Sequence, residues 1–296
     1  MQAGMQIVFH IGAHCTDDDR LVRSLLGNRD VLAQAGVAVP GPGRYRKVLS
    51  EALQKLRGAE ASAETQDVLL DAVLDDDHAE RVVLSNPSFI CMASRVLDEG
   101  QLYAKAGKSA WLRRAFPGAE VEFALGLRNM ASFLPALYDS LNPDMLSAEE
   151  FLDGIDPRDL RWSDYIERLQ DANPGVPITV WCDEDSPLIW PEILREVAGV
   201  DPTVPLGGAL DLTRKIMAPE GNKRMRAYLN RRPPANENIR RRVVAAFLSK
   251  YALDEAVEQE VDLPGWDEAL IDELTELYDE DVDEIARMPG VRVLMP

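Results

Sequence analysis

Short apolar runs alternate with stretches of helical periodicity along the first two thirds of the chain. Such alternation is typical of α/β proteins, in which strands and crossover helices form the repeating unit. The runs that predict strands are Gln6–Ile11, Arg81–Ser85, Val121–Leu127 and Ile178–Cys182. The stretches that predict helices are Arg20–Ala35, Glu64–Leu74, Leu102–Phe116, Met130–Leu141 and Ser163–Ala172. The pattern therefore predicts an α/β fold in which helices cover both faces of a parallel sheet, giving three layers.

After Asp201–Pro205 the pattern becomes helical and continues so to Arg287. We interpret residues 1–205 as an α/β core and residues 206–296 as a helical C-terminal extension that packs on it, so that the chain is a single domain overall. Residues 214–242 contain ten Lys and Arg against two Glu, and residues 266–287 contain ten acidic side chains and one basic. The acidic segment is typical of an amphipathic helix with a solvated face. The basic segment is either a surface helix that pairs with the acidic ones or a segment that closes over an anionic ligand.

Composition narrows the range of partners. The 296 residues carry 32 basic and 51 acidic side chains, a formal net charge of −19, and a field of that sign disfavours nucleic acid and anionic membranes. No apolar run approaches 18 residues and no signal-peptide pattern is present at the N-terminus, so we expect a cytoplasmic protein. The three cysteines are widely spaced, which fits neither a disulfide framework nor a zinc knuckle. A protein partner remains possible.

The first strand leads into the segment with the most chemical information. Residues 6–26 are typical of a buried strand, a short loop and the first turns of a helix. Phosphate-binding proteins use this arrangement to direct backbone N–H groups at an anion. Three consecutive carboxylates, Asp17, Asp18 and Asp19, occupy the turn where the anion would lie. The architecture favours a nucleotide site, whereas the side chains oppose one.

The run His10-Ile-Gly-Ala-His-Cys-Thr-Asp-Asp-Asp19, with the segment Leu25–Pro40 that follows, resembles the start of the bacterial P-loop sulfotransferases. The resemblance implies a P-loop-type sheet. It also implies the donor 3′-phosphoadenosine 5′-phosphosulfate (PAPS) and a small-molecule or carbohydrate hydroxyl as acceptor. Gly12 and Thr16 match positions that bind the donor. Cys15 stands at the lysine position of the family loop, Asp17 at its glycine, and Asp18 and Asp19 at its hydroxyl pair.

These replacements change the electrostatics of the loop. An aspartate at a helix start is a favoured cap, so we expect the protein to fill its own anion site. Two alternatives stay open. Arg20 or Arg23 folds back and restores positive charge, or a divalent cation bridges the three residues Asp17–Asp19, with His10 and His14 as further ligands. Cys15 has two interpretations. It is either a nucleophile whose thiol is acidified at a helix start, or a half-buried thiol without a chemical role. The adjacent carboxylates disfavour the thiolate and so favour the second interpretation.

Two other segments resemble the family. Arg128 matches an arginine that binds the nucleotide 3′-phosphate; the serine position eight residues later falls on Ala136, and Ser132 lies one turn earlier as a substitute. Where part of the family carries a glutamate as candidate general base, this chain has proline, in Ser85-Asn86-Pro87. His14 or a nearby aspartate is then a candidate base, and the sequence does not choose between them.

Two functions follow. In the first, the chain is a sulfotransferase-like protein that is impaired in PAPS-dependent catalysis. It then acts by binding a ligand or a partner and needs no cofactor. The second is an active sulfotransferase that uses PAPS.

Overall fold

The residues that the structure describes form one sheet of six strands, parallel throughout. The structure is a computed structural model that describes residues 4–74, 79–141, 146–253 and 263–296. The strand order is β2-β3-β1-β4-β5-β6. The strands are β1 Gln6–His10, β2 Val37–Ala38, β3 Arg81–Ser85, β4 Glu120–Leu127, β5 Ile178–Cys182 and β6 Val291–Leu294. The four strands predicted from apolar runs are confirmed, and β2 and β6 are additional.

The central strand β1 shows why the chain forms three layers. Its side chains alternate between two separate cores, with Ile7 and Phe9 in the larger one and Val8 in the smaller one. A strand that is buried on both faces needs apolar side chains at successive positions. The run Ile-Val-Phe meets that need, and it places β1 between β3 and β4.

Helices cover both faces of the sheet. They are α1 Arg20–Leu26, α2 Arg29–Gln34, α3 Pro42–Leu56, α4 Ala63–Val73, α5 Ser109–Ala115, α6 Met130–Ser140, α7 Ala148–Leu152, α8 Trp162–Ala172, α9 Ser186–Ala198, α10 Thr213–Ile216, α11 Pro219–Arg231, α12 Glu237–Tyr251 and α13 Glu268–Ile285. Short 3₁₀ helices span Pro87–Phe89, Ala93–Arg95, Asp98–Gly100, Ala106–Lys108, Pro157–Asp159 and Asp183–Asp185. Among the described residues, no helix is both long and apolar enough to cross a membrane.

Two predicted helices are shorter or divided. The predicted helix Arg20–Ala35 is two helices, α1 and α2, separated at Gly27 and Asn28. The side-chain amide of Asn28 donates to the Ser24 carbonyl at 2.8 Å and to the Gly207 carbonyl at 3.1 Å. The contact with Gly207, far along the chain, fixes the position of the break. The predicted helix Leu102–Phe116 becomes a 3₁₀ turn followed by α5.

The C-terminal segment returns to the sheet. After α13 the chain forms β6, which pairs in parallel with β5 from Ile178↔Val291 to Trp181↔Leu294. The sequence pattern predicted only helices here, and the strand was missed because it is four residues long. The residues after α13 thus belong to the same sheet as the predicted core.

Candidate functional site

The carboxyl ends of β1, β3, β4 and β5 meet at one edge of the sheet. The connection from β1 leads to β2 on one side, and the connection from β4 leads to β5 on the other. In open parallel sheets, ligands bind outside the carboxyl ends of the strands where the connections diverge in this way. The predicted loop, residues 11–19, follows β1 at that point.

Gly12 is required by the path of the loop itself. Its carbonyl accepts from the Gly126 amide at 2.8 Å, and its φ is +111°. A Cβ at this position would lie 3.1 Å from the His14 amide nitrogen and 3.4 Å from Pro87 Cα. A side chain has no room here, and positive φ of this kind favours glycine.

The sequence predicts a capping carboxylate among the three residues Asp17–Asp19; Asp19 directly precedes α1 but its side chain makes no capping hydrogen bond, and the cap comes from Asp17 instead. Its Oδ2 accepts from the Leu21 amide at 2.9 Å in the first turn of α1. An amide that would face a bound anion therefore already has a negative partner. Thr16 is buried, and its hydroxyl donates to the Ala13 carbonyl of the same loop at 2.8 Å.

Asp19 forms an ion pair with Arg46 of α3. One guanidinium nitrogen lies 3.1 Å from Asp19 Oδ2 and the second donates to Oδ1. Arg46 also donates to the Ser85 carbonyl at the end of β3, at 2.9 Å. The hydrogen bonds from Arg46 hold the pKa of Asp19 below its usual range, so the loop keeps this negative charge.

Arg20 and Arg23 do fold back, but onto the loop itself. Arg20 Nη2 lies 3.3 Å from the Asp18 carboxylate. Arg23 donates to the Asp19 carbonyl at 3.1 Å and to the Asp18 carbonyl. The two arginines thus compensate the acids and carbonyls of the loop.

Arg128 and Ser132, which the resemblance to the family associates with a nucleotide 3′-phosphate, lie side by side. Arg128 Nε donates to Ser132 Oγ at 3.0 Å, and a second guanidinium nitrogen donates to the Cys15 carbonyl. The Cys15 thiol is half-buried and lies 3.5 Å from the Ala136 carbonyl, and burial raises its pKa. This direction disfavours the thiolate and a nucleophilic role.

The two histidines of the segment 10–19 are neutral, and each forms a hydrogen bond with a different hydroxyl group. His14 Nδ1 lies 2.8 Å from Tyr103 Oη, and burial lowers the pKa of His14 to about 4. His10 Nδ1 lies 2.8 Å from Ser85 Oγ, and burial lowers its pKa too. Across the described part of the chain, no group of three or more His, Cys, Asp or Glu side chains is arranged to hold a metal ion. The geometry therefore gives no support to the alternative in which a divalent cation is bound by the three residues Asp17–Asp19.

Asp183 is a site residue that sequence reasoning missed. It follows β5 directly, and burial with the neighbouring Glu184 raises its pKa to about 8, against the opposing charges of Arg128 and Arg20. The signal was present in Asp183–Asp185, three acidic residues directly after a predicted strand, where the groups of a parallel-sheet site gather.

Helix α13 covers part of this edge. The Tyr278 hydroxyl donates to Glu184 at 3.2 Å, and Asn129 donates to Thr275 at 2.9 Å. The acidic segment is thus an amphipathic helix, as predicted, and one of its carboxylates, Asp281, is buried against α8.

Two arginines of the basic segment form ion pairs with α9, and not with the acidic helix α13 as one of the two predictions had it. Arg240 and Arg241 of α12 pair with Glu192, at 2.9 and 3.7 Å. The other face of the helix pair α11 and α12 forms an open groove of about 670 Å³, with Arg224 and Lys250 among the residues that line it. This groove is separate from the loop after β1.

No protein-family model matches the chain, and no curated protein sequence matches it. The resemblance to sulfotransferases therefore depends on the residues quoted above and stays a prediction.

Proposed function

We propose that this chain is a sulfotransferase-like protein whose donor loop does not bind PAPS, and that it acts by binding another ligand or a partner. The observation that supports this most directly is the 2.9 Å hydrogen bond from the Leu21 amide to the Asp17 carboxylate. It gives the helix start a negative partner from within the chain. The ion pair of Asp19 with Arg46 holds a second carboxylate beside it.

The electrostatic penalty for a donor is large. A unit charge about 5 Å from a like charge costs about 3 kcal/mol at an effective dielectric constant of about 20. The phosphosulfate would face at least one carboxylate, and Cys15 supplies no compensating charge. Each ~1.4 kcal/mol corresponds to a tenfold loss of affinity, so the loss amounts to about two orders of magnitude for a full negative charge, and to less for a carboxylate in an ion pair, such as Asp19.

On the acceptor side, the residues that the sequence points to, Asn86, Pro87 and His14, do not supply a base suited to sulfuryl transfer. The Asn86 side chain accepts from the Ser88 amide at 3.0 Å, and Pro87 has no acceptor in its side chain. His14 has a pKa of about 4, so it is neutral at pH 7 and a weak proton acceptor. The replacements at the donor loop and at the acceptor side together favour a binding role.

A titration with adenosine 3′,5′-bisphosphate, the desulfated donor product, tests the proposal by thermal denaturation. A site filled at 100 times its dissociation constant adds about 2.7 kcal/mol of stability. We expect no rise in melting temperature that depends on Arg128. A rise that the Arg128→Gln variant abolishes would contradict the proposal.

A gain-of-function variant tests the family assignment separately. Cys15→Lys with Asp17→Gly, Asp18→Thr and Asp19→Thr removes the carboxylates and restores the positive charge. We expect this variant to bind the bisphosphate through Arg128 if the scaffold is that of a sulfotransferase. A folded variant that gains no binding would count against the resemblance.

One observation favours the alternative, an active PAPS-dependent sulfotransferase. Arg128 and Ser132 lie 3.0 Å apart at the end of β4, where the resemblance places the 3′-phosphate contacts. Transfer of ³⁵S from labelled PAPS to any hydroxyl acceptor, lost in Arg128→Gln, would establish this second function.

A further inference from the structure

A cleft beside the loop has a charge opposite to that of the whole molecule. It has a volume of about 740 Å³ and lies between α3, the turn after β3 and residues 105–111. We call it the basic cleft; five cationic side chains line it, Arg46, Lys47, Arg95, Lys105 and Lys108. None of the described residues that line it is an aspartate or a glutamate.

The carboxylates near these cations neutralise part of the charge. Asp19 pairs with Arg46, and Asp98 pairs with Lys105 and lies 3.9 Å from Arg95. Glu51 lies 4.0 Å from Lys47, and both side chains are largely exposed. Five cations against these three carboxylates leave a surplus of two positive charges. In a chain with 51 acidic and 32 basic residues, a concentrated positive surface attracts anions.

The cleft also has an apolar part. The Lys108 ammonium lies 5.6 Å from the centroid of the Trp111 ring, within cation–π distance. Phe89, Ile90 and Met92 line the cleft from the segment after β3, and Met92 is exposed. An aromatic wall beside cations suits a flat ligand that carries acidic groups.

We infer that the basic cleft binds a small organic polyanion, a molecule with a flat apolar part and at least two sulfate, sulfonate or phosphate groups. A volume of this size lies in the range of small-molecule sites. The inference rests on the proposed function, because it names the ligand class that the binding protein would hold. It needs no contact with the amides of the loop after β1.

Naphthalene-1,5-disulfonate and inorganic pyrophosphate serve as probes in calorimetric titrations at about 50 mM salt. The two lysines on opposite walls, Lys47 and Lys108, are replaced together as Lys47→Gln/Lys108→Gln. The matched control is Lys215→Gln/Lys223→Gln, which removes two exposed charges from the C-terminal helices. Both double variants have the same net charge, so only the position of the change differs.

We expect the wild-type chain to bind the disulfonate, Lys47→Gln/Lys108→Gln to bind it at least 10-fold more weakly, and the control to stay within 2-fold of wild type. Loss of the aromatic wall in Trp111→Leu should weaken the disulfonate more than pyrophosphate, in protein whose melting temperature confirms that it is folded. Absence of disulfonate binding below about 1 mM, or equal weakening in the control, would overturn the inference. Pyrophosphate binding as tight as disulfonate binding would overturn its apolar part.

Adenosine 3′,5′-bisphosphate is itself a flat polyanion, so its titration is repeated in Lys47→Gln/Lys108→Gln. Stabilisation of wild type that this variant loses and Arg128→Gln keeps places the nucleotide in the cleft, in support of the inference. Stabilisation that Arg128→Gln loses and the lysine variant keeps places it at the loop, and the proposed function fails. The two failures are thereby distinguished.

Discussion

Two side chains at the carboxyl edge of the sheet are held in their neutral forms, whereas Asp19 keeps its charge. Asp183 has a pKa raised to about 8 and His14 a pKa lowered to about 4, in both cases chiefly by burial. Burial disfavours whichever form is charged, so it acts in opposite directions on an acid and a base. Near pH 7 these two side chains therefore add little to the charge of this edge.

The neutral form of Asp183 has a consequence for stability. When the pKa of a carboxyl group is higher in the folded chain than in the unfolded chain, the free energy of unfolding of the protein falls as pH rises between the two pKa values. We therefore expect Asp183→Asn to be more stable than wild type, with an advantage that is near zero at pH 4. It should grow by up to about 1.4 kcal/mol per pH unit towards pH 8 and then level off. Urea denaturation at pH 4, 6 and 9 measures this.

His14 is present in both chains, so its own titration cancels from the comparison. Asp171→Asn, which removes a charge from the exposed surface of α8, controls for the effect of net charge. An advantage of Asp183→Asn that does not change from pH 4 to pH 9 would show that Asp183 is ionised in the folded protein throughout.

Gly12 gives a prediction about the backbone. Gly12→Ala places a Cβ 3.1 Å from the His14 amide at a φ of +111°. We expect a loss of about 2 kcal/mol or more in the free energy of unfolding, because strained backbone of this kind costs about 1–3 kcal/mol before the contact is counted. Gly43→Ala is the control, since nothing lies within 4 Å of its Cβ in α3. Equal effects of the two substitutions would contradict this account.

The sequence predicts those contacts of the site that join neighbouring residues, and it misses the contacts between residues far apart in the chain. A capping carboxylate at the start of α1 follows from the aspartates just before a helical pattern, because the bond from the Leu21 amide to Asp17 spans only four residues. The Asp19–Arg46 ion pair joins residues 27 positions apart, and the raised pKa of Asp183 depends on which strand ends meet. Neither is visible before the packing of α3 and β5 is known.

At the scale of elements, the start of α8 depends on a carboxylate from α13. Arg161 is the residue before the helix, and its side chain makes no capping hydrogen bond. Instead, Asp281 accepts from the Trp162 amide at 2.6 Å and from the Ser163 amide at 3.2 Å. The first orphan amides of α8 are thus satisfied across 118 residues or more.

We expect Asp281→Ala to destabilise the protein by about 2–4 kcal/mol in chemical denaturation. Loss of a cap costs about 1 kcal/mol, and buried donors left without partners add about 1–3 kcal/mol. Asp283→Ala, at an exposed position 3.8 Å from Arg287, should change stability by less than about 0.5 kcal/mol, since surface ion pairs contribute little. Similar values for the two variants would mean that Asp281 does not cap α8.

The sequence predicts strands best where both faces of the strand are buried, because burial alone then sets the apolar pattern. The four strands found from apolar runs are those buried in the middle of the sheet, whereas the short edge strands β2 and β6 carry weaker patterns. The division of the first predicted helix at Asn28 depends on Gly207, far along the chain. Long-range contacts of this kind leave no periodic signal in the sequence.

At the scale of the whole molecule, the C-terminal residues add the outermost strand on one side of the sheet. Strand β6 covers the outer edge of β5, and Arg292 pairs with Glu196 of α9 at 2.5 Å. An uncovered parallel edge presents unpaired amides and carbonyls to other chains. The region predicted as an extension therefore protects the core.

Deletion of residues 291–296 tests this dependence. Without β6, the edge of β5 loses its ladder of backbone hydrogen bonds from Ile178 to Trp181. We expect the urea midpoint to fall and larger species to appear in size-exclusion chromatography, because the exposed edge pairs between molecules. Deletion of Met295 and Pro296 alone, which removes the 2.9 Å hydrogen bond from Arg241 to the Met295 carbonyl, should leave both measurements nearly unchanged. If the longer deletion also left both unchanged, residues 291–296 would be dispensable, and β5 would be a stable edge by itself.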